Sequence, residues 1–148
     1  MAKQKPIYKI ITYGVYDHWD ENSKLLPKIT QFTTDIIAQE NIEFGFTVNV
    51  KKAKGKKLTY TIYHPNIPDD SGKVMPPFSG DVYVENNNWD FYLGDSIWLP
   101  LDNKLGLWDM TIEDDGKVIA QKKFNVFIDE SDDEITFWKR KLNPSDKI

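Results

Sequence analysis

The 148-residue sequence contains no cysteine. This absence excludes a disulfide-bonded scaffold, a thiolate zinc site, an iron–sulfur cluster and a cysteine nucleophile. No apolar run approaches the roughly 20 residues that a membrane-spanning helix needs. The stretch 7–13, which follows basic first residues, is too short and too polar for the apolar part of a signal peptide. The sequence therefore predicts a cytoplasmic protein with no membrane partner.

Sequence motifs for catalysis and cofactor binding are missing as well. There is no Walker loop, dinucleotide fingerprint, Gly-x-Ser-x-Gly elbow or His-Glu-x-x-His. The two histidines, His18 and His64, have no metal-ligating spacing around them, and the acids and Ser71 that follow His64 are near it only in sequence. These patterns predict no cofactor, no metal and no catalytic residue. An enzyme, most plausibly a carbohydrate-active or metal-dependent hydrolase, remains the alternative.

Charge and composition set further limits. The formal net charge is −4, which gives no global attraction to nucleic acid, and no nucleic-acid partner is predicted. Aromatic residues make up 14% of the chain, enough bulky apolar material to argue against disorder. A chain of this length folds as one domain and removes roughly 70% of its surface from water.

Apolar and polar residues alternate with a period of two through most of the chain. The clearest case is 42–51, where the even positions are all apolar, and similar patterns indicate strands at 7–16, 34–38, 58–64, 82–84, 89–93, 105–112 and 118–128. The lysine-rich segment 51–57 is interpreted as a solvated turn that joins 42–51 and 58–64 into a β-hairpin. A second hairpin is predicted at Asp115-Gly116, because Asp-Gly tolerates positive φ.

Many short strands without intervening helical patterns are typical of an all-β sandwich. About seven strands favour a sandwich of immunoglobulin or fibronectin III type over residues 1–128, although the Cys–Trp–Cys pattern of antibody domains is absent. Residues 129–148 differ in character. Ser131 and Glu134 fit a helix capping box, and Ile135, Trp138 and Leu142 share one helical face. We expect one short C-terminal α-helix that packs on an apolar surface.

Two segments resemble a known family. They are Ile11-Thr12-Tyr13-Gly14-Val15-Tyr16-Asp17 near the start and, near the end, Gly106-Leu107-Trp108-Asp109-Met110, Asp115-Gly116-Lys117 and Lys123-Phe124-Asn125-Val126. This arrangement is similar to a bacterial family known only as domain of unknown function 3859. The resemblance covers about residues 7–128 and implies an immunoglobulin-like sandwich. It implies no activity and no catalytic residue.

Closely spaced aromatic residues are the candidate binding site. Alternation places Tyr92 on the opposite face of its strand from Trp89, and one sheet does not easily bury both faces. We therefore predict exposed rings among Trp19, Trp89, Tyr92 and Trp98, of the kind found at protein interfaces and sugar-binding platforms. The predicted function is a non-enzymatic module that binds a protein partner, or a second copy, through these aromatics and a sheet edge. A carbohydrate-binding domain is the less favoured alternative, because no secretion signal is seen.

Overall fold

A computed structural model of the protein describes residues 5–18 and 25–128. This part of the chain forms nine β-strands and one short 3₁₀ turn at Asp102–Lys104. The strands are β1 (Ile7–Tyr16), β2 (Ile29–Gln31), β3 (Asp35–Ile37), β4 (Glu43–Lys51), β5 (Lys57–Tyr63), β6 (Phe78–Tyr83), β7 (Asn88–Ser96), β8 (Gly106–Asp114) and β9 (Lys117–Phe127). The all-β prediction is confirmed.

The strands form two sheets that pack face to face. One sheet has four strands in the order β2-β1-β4-β7, and the other has five in the order β3-β9-β8-β5-β6. All neighbours are antiparallel except β3 and β9, which run parallel with Asp35 opposite Asn125. The short strand predicted at 34–38 is β3, and β2 is the strand that the sequence did not indicate. Strand β2 has only three residues, too few for a period-two pattern to be recognised.

One hydrophobic core lies between the sheets. Phe44, Phe46, Val48 and Val50 of β4 have no accessible surface, as the alternation predicted. The ring of Phe44 contacts Trp108 of the opposite sheet edge to face, at 5.3 Å between ring centroids. Side chains from both sheets therefore bury one another, which is the arrangement that defines a β-sandwich.

The predicted hairpin between residues 42–51 and 58–64 is wrong. β4 pairs with β1 and β7, whereas β5 pairs with β6 and β8 of the other sheet. The lysine-rich segment between them crosses from one sheet to the other and is anchored by Ala53, which is buried. Both strands turn an apolar face towards the same core, and the period-two pattern is the same for strands that lie side by side and for strands in facing sheets. The hairpin at Asp115-Gly116 is confirmed, with positive φ at both residues.

Two further details differ from the sequence interpretation. Strand β7 runs without interruption through Gly94 and Asp95, which the sequence suggested as a break. Lys122, the one charged residue on the core-facing side of β9, places its ammonium 4.0 Å from the centre of the Tyr13 ring. A cation over an aromatic face retains a favourable electrostatic partner away from water, which explains a lysine at this position.

The predicted C-terminal helix over residues 131–142 lies outside the described residues, as does Trp19. Within the described ranges, no helix has the length and apolar character needed to span a bilayer.

Candidate functional site

The candidate site is a row of aromatic rings along one side of the sandwich, which we call the aromatic seam. This side lies between β6 and β7, each of which is the last strand of its sheet. Every ring of the seam is half-buried, so each packs on the core and still reaches the surface. Its members are Tyr60, His64, Phe78, Trp89, Phe91 and Trp98.

The rings of the seam contact one another in two groups, one at each end. Trp89 stacks on Phe91 with 5.3 Å between centroids, and Phe91 meets Tyr60 of the opposite sheet at 6.3 Å. The Tyr60 ring covers Gly80, where a Cβ atom would collide with it. At the other end, Phe78 contacts Trp98 at 6.4 Å. The two predicted tryptophans therefore mark opposite ends of the same surface.

Trp98 is held in place by a buried lysine. Lys104 has no accessible surface, and its ammonium lies 4.4 Å from the centre of the Trp98 ring while donating to the carbonyl oxygen of Pro100 at 2.9 Å. Burial lowers the pKa of Lys104, because desolvation disfavours the charged form. The Lys104 carbonyl in turn accepts a hydrogen bond from Nε1 of Trp108. These contacts fix the Trp98 ring, so this end of the seam is preorganised.

His64 connects the seam to the proline-rich loop 65–77. Its Nδ1 lies 2.6 Å from the carbonyl oxygen of Pro65 and its Nε2 lies 2.9 Å from that of Pro76. The hydroxyl of Ser71 instead donates to Asp69, so His64 and Ser71 are not arranged as base and nucleophile. The histidine therefore acts as a structural connection between β5 and the loop.

A partly buried carboxyl group lies at the same end. Burial raises the pKa of Asp95, and the N–H of Ser96 and the charge of His64 oppose that shift. No group of three or more His, Asp or Glu residues within the described ranges is arranged to hold a metal ion.

The edge of β7 presents backbone groups for further pairing. Hydrogen bonds from Lys52 N to Asn87 O and from Ile97 N to Ile42 O show that odd-numbered residues of this strand point towards β4. The alternation of an antiparallel ladder then directs the N–H and C=O groups of Asp90 and Gly94 away from the sheet. An edge of this kind is a template for an added strand.

Tyr92 is not part of the seam, and the expectation that its ring is exposed is wrong. The residue exposes only 2% of its surface. Its hydroxyl donates to Oε2 of Glu43 at 2.5 Å, and its ring meets Tyr16 edge to face at 4.8 Å. Desolvation raises the pKa of Tyr92, and the adjacent Glu43 carboxylate raises it further. Tyr92 is therefore a structural residue on the outer face of the four-stranded sheet.

Gly94 makes room for this tyrosine. A Cβ atom at Gly94 would collide with the ring and hydroxyl of Tyr92. Gly94 is part of a row of three glycines, Gly14, Gly45 and Gly94, which lie opposite one another on adjacent strands. The ring of Tyr92 therefore packs against a position without a side chain, and this helps to bury a ring on the outward face of the sheet.

A cavity lies on the side of the sandwich opposite the aromatic seam. It has a volume of about 390 Å³ and is lined by Val15, Gln31, Thr33, Asp35, Ile37, Gln39, Ile42 and Phe127. Most of its lining comes from β2, β3 and the residues beside them, so sequence reasoning, which did not recognise β2, had no signal for this cavity.

The two facing sheets, the single core and the strand order define an immunoglobulin-like β-sandwich. The chain belongs to the family described as domain of unknown function (DUF3859), whose pattern matches residues 4–126. The resemblance inferred from the sequence is confirmed. No curated protein matches the chain.

A solved structure has the same fold. An immunoglobulin-like protein from Pseudomonas aeruginosa superposes with a TM-score of 0.67 at 18% identity, covering 86% of this chain and all of the other. Weaker similarity is found to an alkylpurine DNA glycosylase from Pseudomonas fluorescens, with a TM-score of 0.38, 15% identity, and coverage of 64% and 27%. A β-glucosidase from Listeria innocua gives 0.40, 9% identity, and coverage of 82% and 16%.

Proposed function

We propose that this protein is a non-enzymatic binding module that takes an extended segment of a partner protein along the aromatic seam and the edge of β7. One observation carries this proposal: partly exposed aromatic rings and an outward-facing backbone edge lie on the same side of the sandwich. Aromatic rings with both apolar and polar contacts are enriched at protein interfaces. An added strand obtains affinity from backbone hydrogen bonds and specificity from alternate side chains.

Each part of the surface has a role in this proposal. A strand added beside β7 would hydrogen bond to the outward N–H and C=O groups of Asp90 and Gly94. Its alternate side chains would face Trp89 and Phe91 on the core side, and Asp90 on the outer side. We therefore expect the partner segment to alternate apolar residues with polar or basic ones.

Proline and alanine substitutions at Asp90 separate the backbone contribution from that of the side chain. Asp90→Pro removes an N–H that β4 does not use, so an edge strand tolerates the change. Asp90→Ala removes the carboxylate and keeps the N–H. If a partner strand is added at this edge, the amount of partner protein recovered from the native cell falls with Asp90→Pro and is largely kept with Asp90→Ala. Equal recovery with both variants would exclude strand addition at β7.

The rings are tested by a Trp89→Ala/Trp98→Ala double variant. Its matched control is Tyr63→Ala/Leu107→Ala, which removes two exposed apolar side chains from the outer face of the five-stranded sheet. Circular dichroism melts establish that each variant is folded before its binding is compared. If the partner protein is recovered at full yield with the tryptophan variant, the aromatic seam is excluded as its binding site. Quenching of tryptophan fluorescence by a sugar, without any protein partner, would favour the glycan alternative.

A further inference from the structure

One end of the sandwich carries most of the described lysines, and we call it the lysine end. Strand pairing brings them together, because Ile7 lies opposite Lys51, and Asp114 lies opposite Lys117 at the turn into β9. All of these lysines are exposed: Lys5, Lys9, Lys51, Lys52, Lys54, Lys56, Lys57 and Lys117. The carboxylates at this end are those of Glu85, Asp114 and Asp115, with those of Asp81, Asp90 and Glu113 one or two residues further along their strands. A chain of net charge −4 therefore has a positive pole.

The segment that presents these lysines is ordered by contacts to its neighbours. Ala53 is buried, Lys54 N donates to Oδ1 of Asn87, and Gly55 N donates to the carbonyl oxygen of Val84. Within the described ranges one lysine of the segment is in an ion pair, Lys56 with Asp114 at 3.0 Å. The remaining lysines of this fixed loop have no carboxylate partner among the described residues, so less conformational entropy is lost when an anion binds them.

The opposite end of the sandwich is acidic. Its exposed charged residues are Asp17, Glu40, Asp69, Asp70 and Asp102, together with Lys28 and Lys73. Strand β9 ends here at Phe127, and five of the next residues in the sequence, among positions 129–134, are Asp or Glu. The molecule thus has a lysine end and, about one sandwich length away, an acidic end from which an acidic run continues.

We propose that the acidic run 129–134 of one copy of this protein binds the lysine end of a second copy. Charge complementarity supports the pairing, since five carboxylates meet a loop with four unpaired lysines. This inference concerns the ends of the sandwich and does not rest on the aromatic seam.

Chain length favours binding between copies over binding within one. Strand β9 has 11 residues, and its rise of about 3.3 Å per residue separates the level of Lys117 from that of Phe127 by about 33 Å. The seven residues from Phe127 to Glu134 span at most about 24 Å when fully extended. As a whole, the acidic run is therefore too close to Phe127 along the chain to reach the lysine end of its own molecule, whereas binding to a second copy is not limited in this way.

Contacts of this type are heterologous, since a different surface of each copy takes part. A head-to-tail contact that does not close into a ring produces open chains of increasing length.

Nucleic acid fits the lysine end less well, because the cationic surface is one short loop flanked by the carboxylates of Asp81, Asp90 and Glu113.

Sedimentation velocity of the full chain tests the proposal. At an ionic strength of about 20 mM the mean sedimentation coefficient should rise with protein concentration, and at about 500 mM it should not, because salt screens exposed charges. Lys52→Glu/Lys54→Glu should weaken association by at least about tenfold. The matched control, Lys28→Glu/Lys73→Glu at the acidic end, should associate at least as well as wild type. A wild-type protein that stays monomeric at low salt would overturn the proposal.

Mixing two inactive variants distinguishes this contact from any symmetric one. The first is Lys52→Glu/Lys54→Glu, and the second neutralises the run with Asp129→Asn, Glu130→Gln, Asp132→Asn, Asp133→Asn and Glu134→Gln. Each variant alone should remain monomeric. Together they should form one-to-one pairs and no longer chains, because each retains the half that the other lacks. Failure of the mixture to pair would contradict the proposal, as would tighter binding of a single-stranded oligonucleotide than of a labelled 129–148 peptide.

Discussion

At the scale of single residues, the fold places several polar groups in unusual surroundings. Glu43 exposes 8% of its surface and accepts a hydrogen bond from Tyr92. Burial raises the pKa of Glu43, and the nearby Asp95 raises it further, while the hydrogen bond from Tyr92 and the charge of His18 lower it. A carboxyl group in this position is easier to bury with its proton than without it, which makes the stability of the protein dependent on pH.

Replacing Glu43 by Gln should flatten that dependence. The folded protein holds the Glu43 proton to a higher pH than the unfolded chain does, so the free energy of unfolding falls as pH rises from the ordinary glutamate range through the raised pKa. Glu43→Gln removes this titration and still accepts from Tyr92. We expect its stability relative to wild type to increase from about pH 4 to pH 7, as measured by urea unfolding at several pH values. Glu85→Gln, at an exposed position, is the control.

Removal of the Tyr92 hydroxyl tests the same contact from the other side. Tyr92→Phe leaves the buried Glu43 without its donor and should cost about 1–3 kcal/mol of unfolding free energy at neutral pH. The same change in a Glu43→Gln background should cost less, because a neutral amide needs the donor less than a carboxylate does. A double-mutant cycle provides the coupling energy. Purely additive effects would show that the two side chains do not interact.

At the scale of strands, the pairing register between neighbouring strands brings together residues that are far apart in the sequence. Gly14, Gly45 and Gly94 come from three strands and lie opposite one another, and the last of them leaves the space that the Tyr92 ring occupies. The same alignment allows β7 to continue through Gly94-Asp95, since the glycine is required by the tyrosine ring rather than by a turn. A residue type that usually interrupts a strand is here a packing element.

Gly94→Ala should therefore be severely destabilising. Its Cβ atom would collide with the ring of Tyr92 and with the backbone of Phe44, neither of which has room to move. We expect a loss of at least about 2 kcal/mol in urea unfolding. Gly80→Ala is the informative comparison, because its Cβ atom meets only the half-exposed Tyr60 ring, which can move towards solvent. Similar losses of stability for the two variants would argue against the proposed packing of Tyr92 on Gly94.

At the scale of the whole molecule, one core connects the two sheets. Phe44 of the four-stranded sheet contacts both Trp108 and Phe124 of the five-stranded sheet, and all three side chains have no accessible surface. A domain with one core of this kind unfolds in a single cooperative transition.

Phe44→Ala should lower stability by about 3–5 kcal/mol, through lost burial and the cavity that remains. Tryptophan fluorescence and far-ultraviolet circular dichroism should follow the same urea transition before and after the substitution. Separate transitions for the two signals would show that the sheets unfold independently. Leu107→Ala, at an exposed position on the same strand as Trp108, should change stability by less than about 0.5 kcal/mol.

The sequence alone determined the features that depend on neighbouring residues. Alternation identified the long strands and their core-facing sides, as in β4, and Asp115-Gly116 identified the β8–β9 hairpin, because both signals arise within a few residues. Trp89 and Trp98 were identified as candidate site residues from local aromatic density. The tertiary structure decided what depends on distant partners. It placed β4 and β5 in different sheets, buried Tyr92 against Glu43 of a neighbouring strand, and gathered the lysines at one end. The reason is physical: a period of two specifies which side of a strand faces the core, but only pairing and packing specify which strand lies beside it.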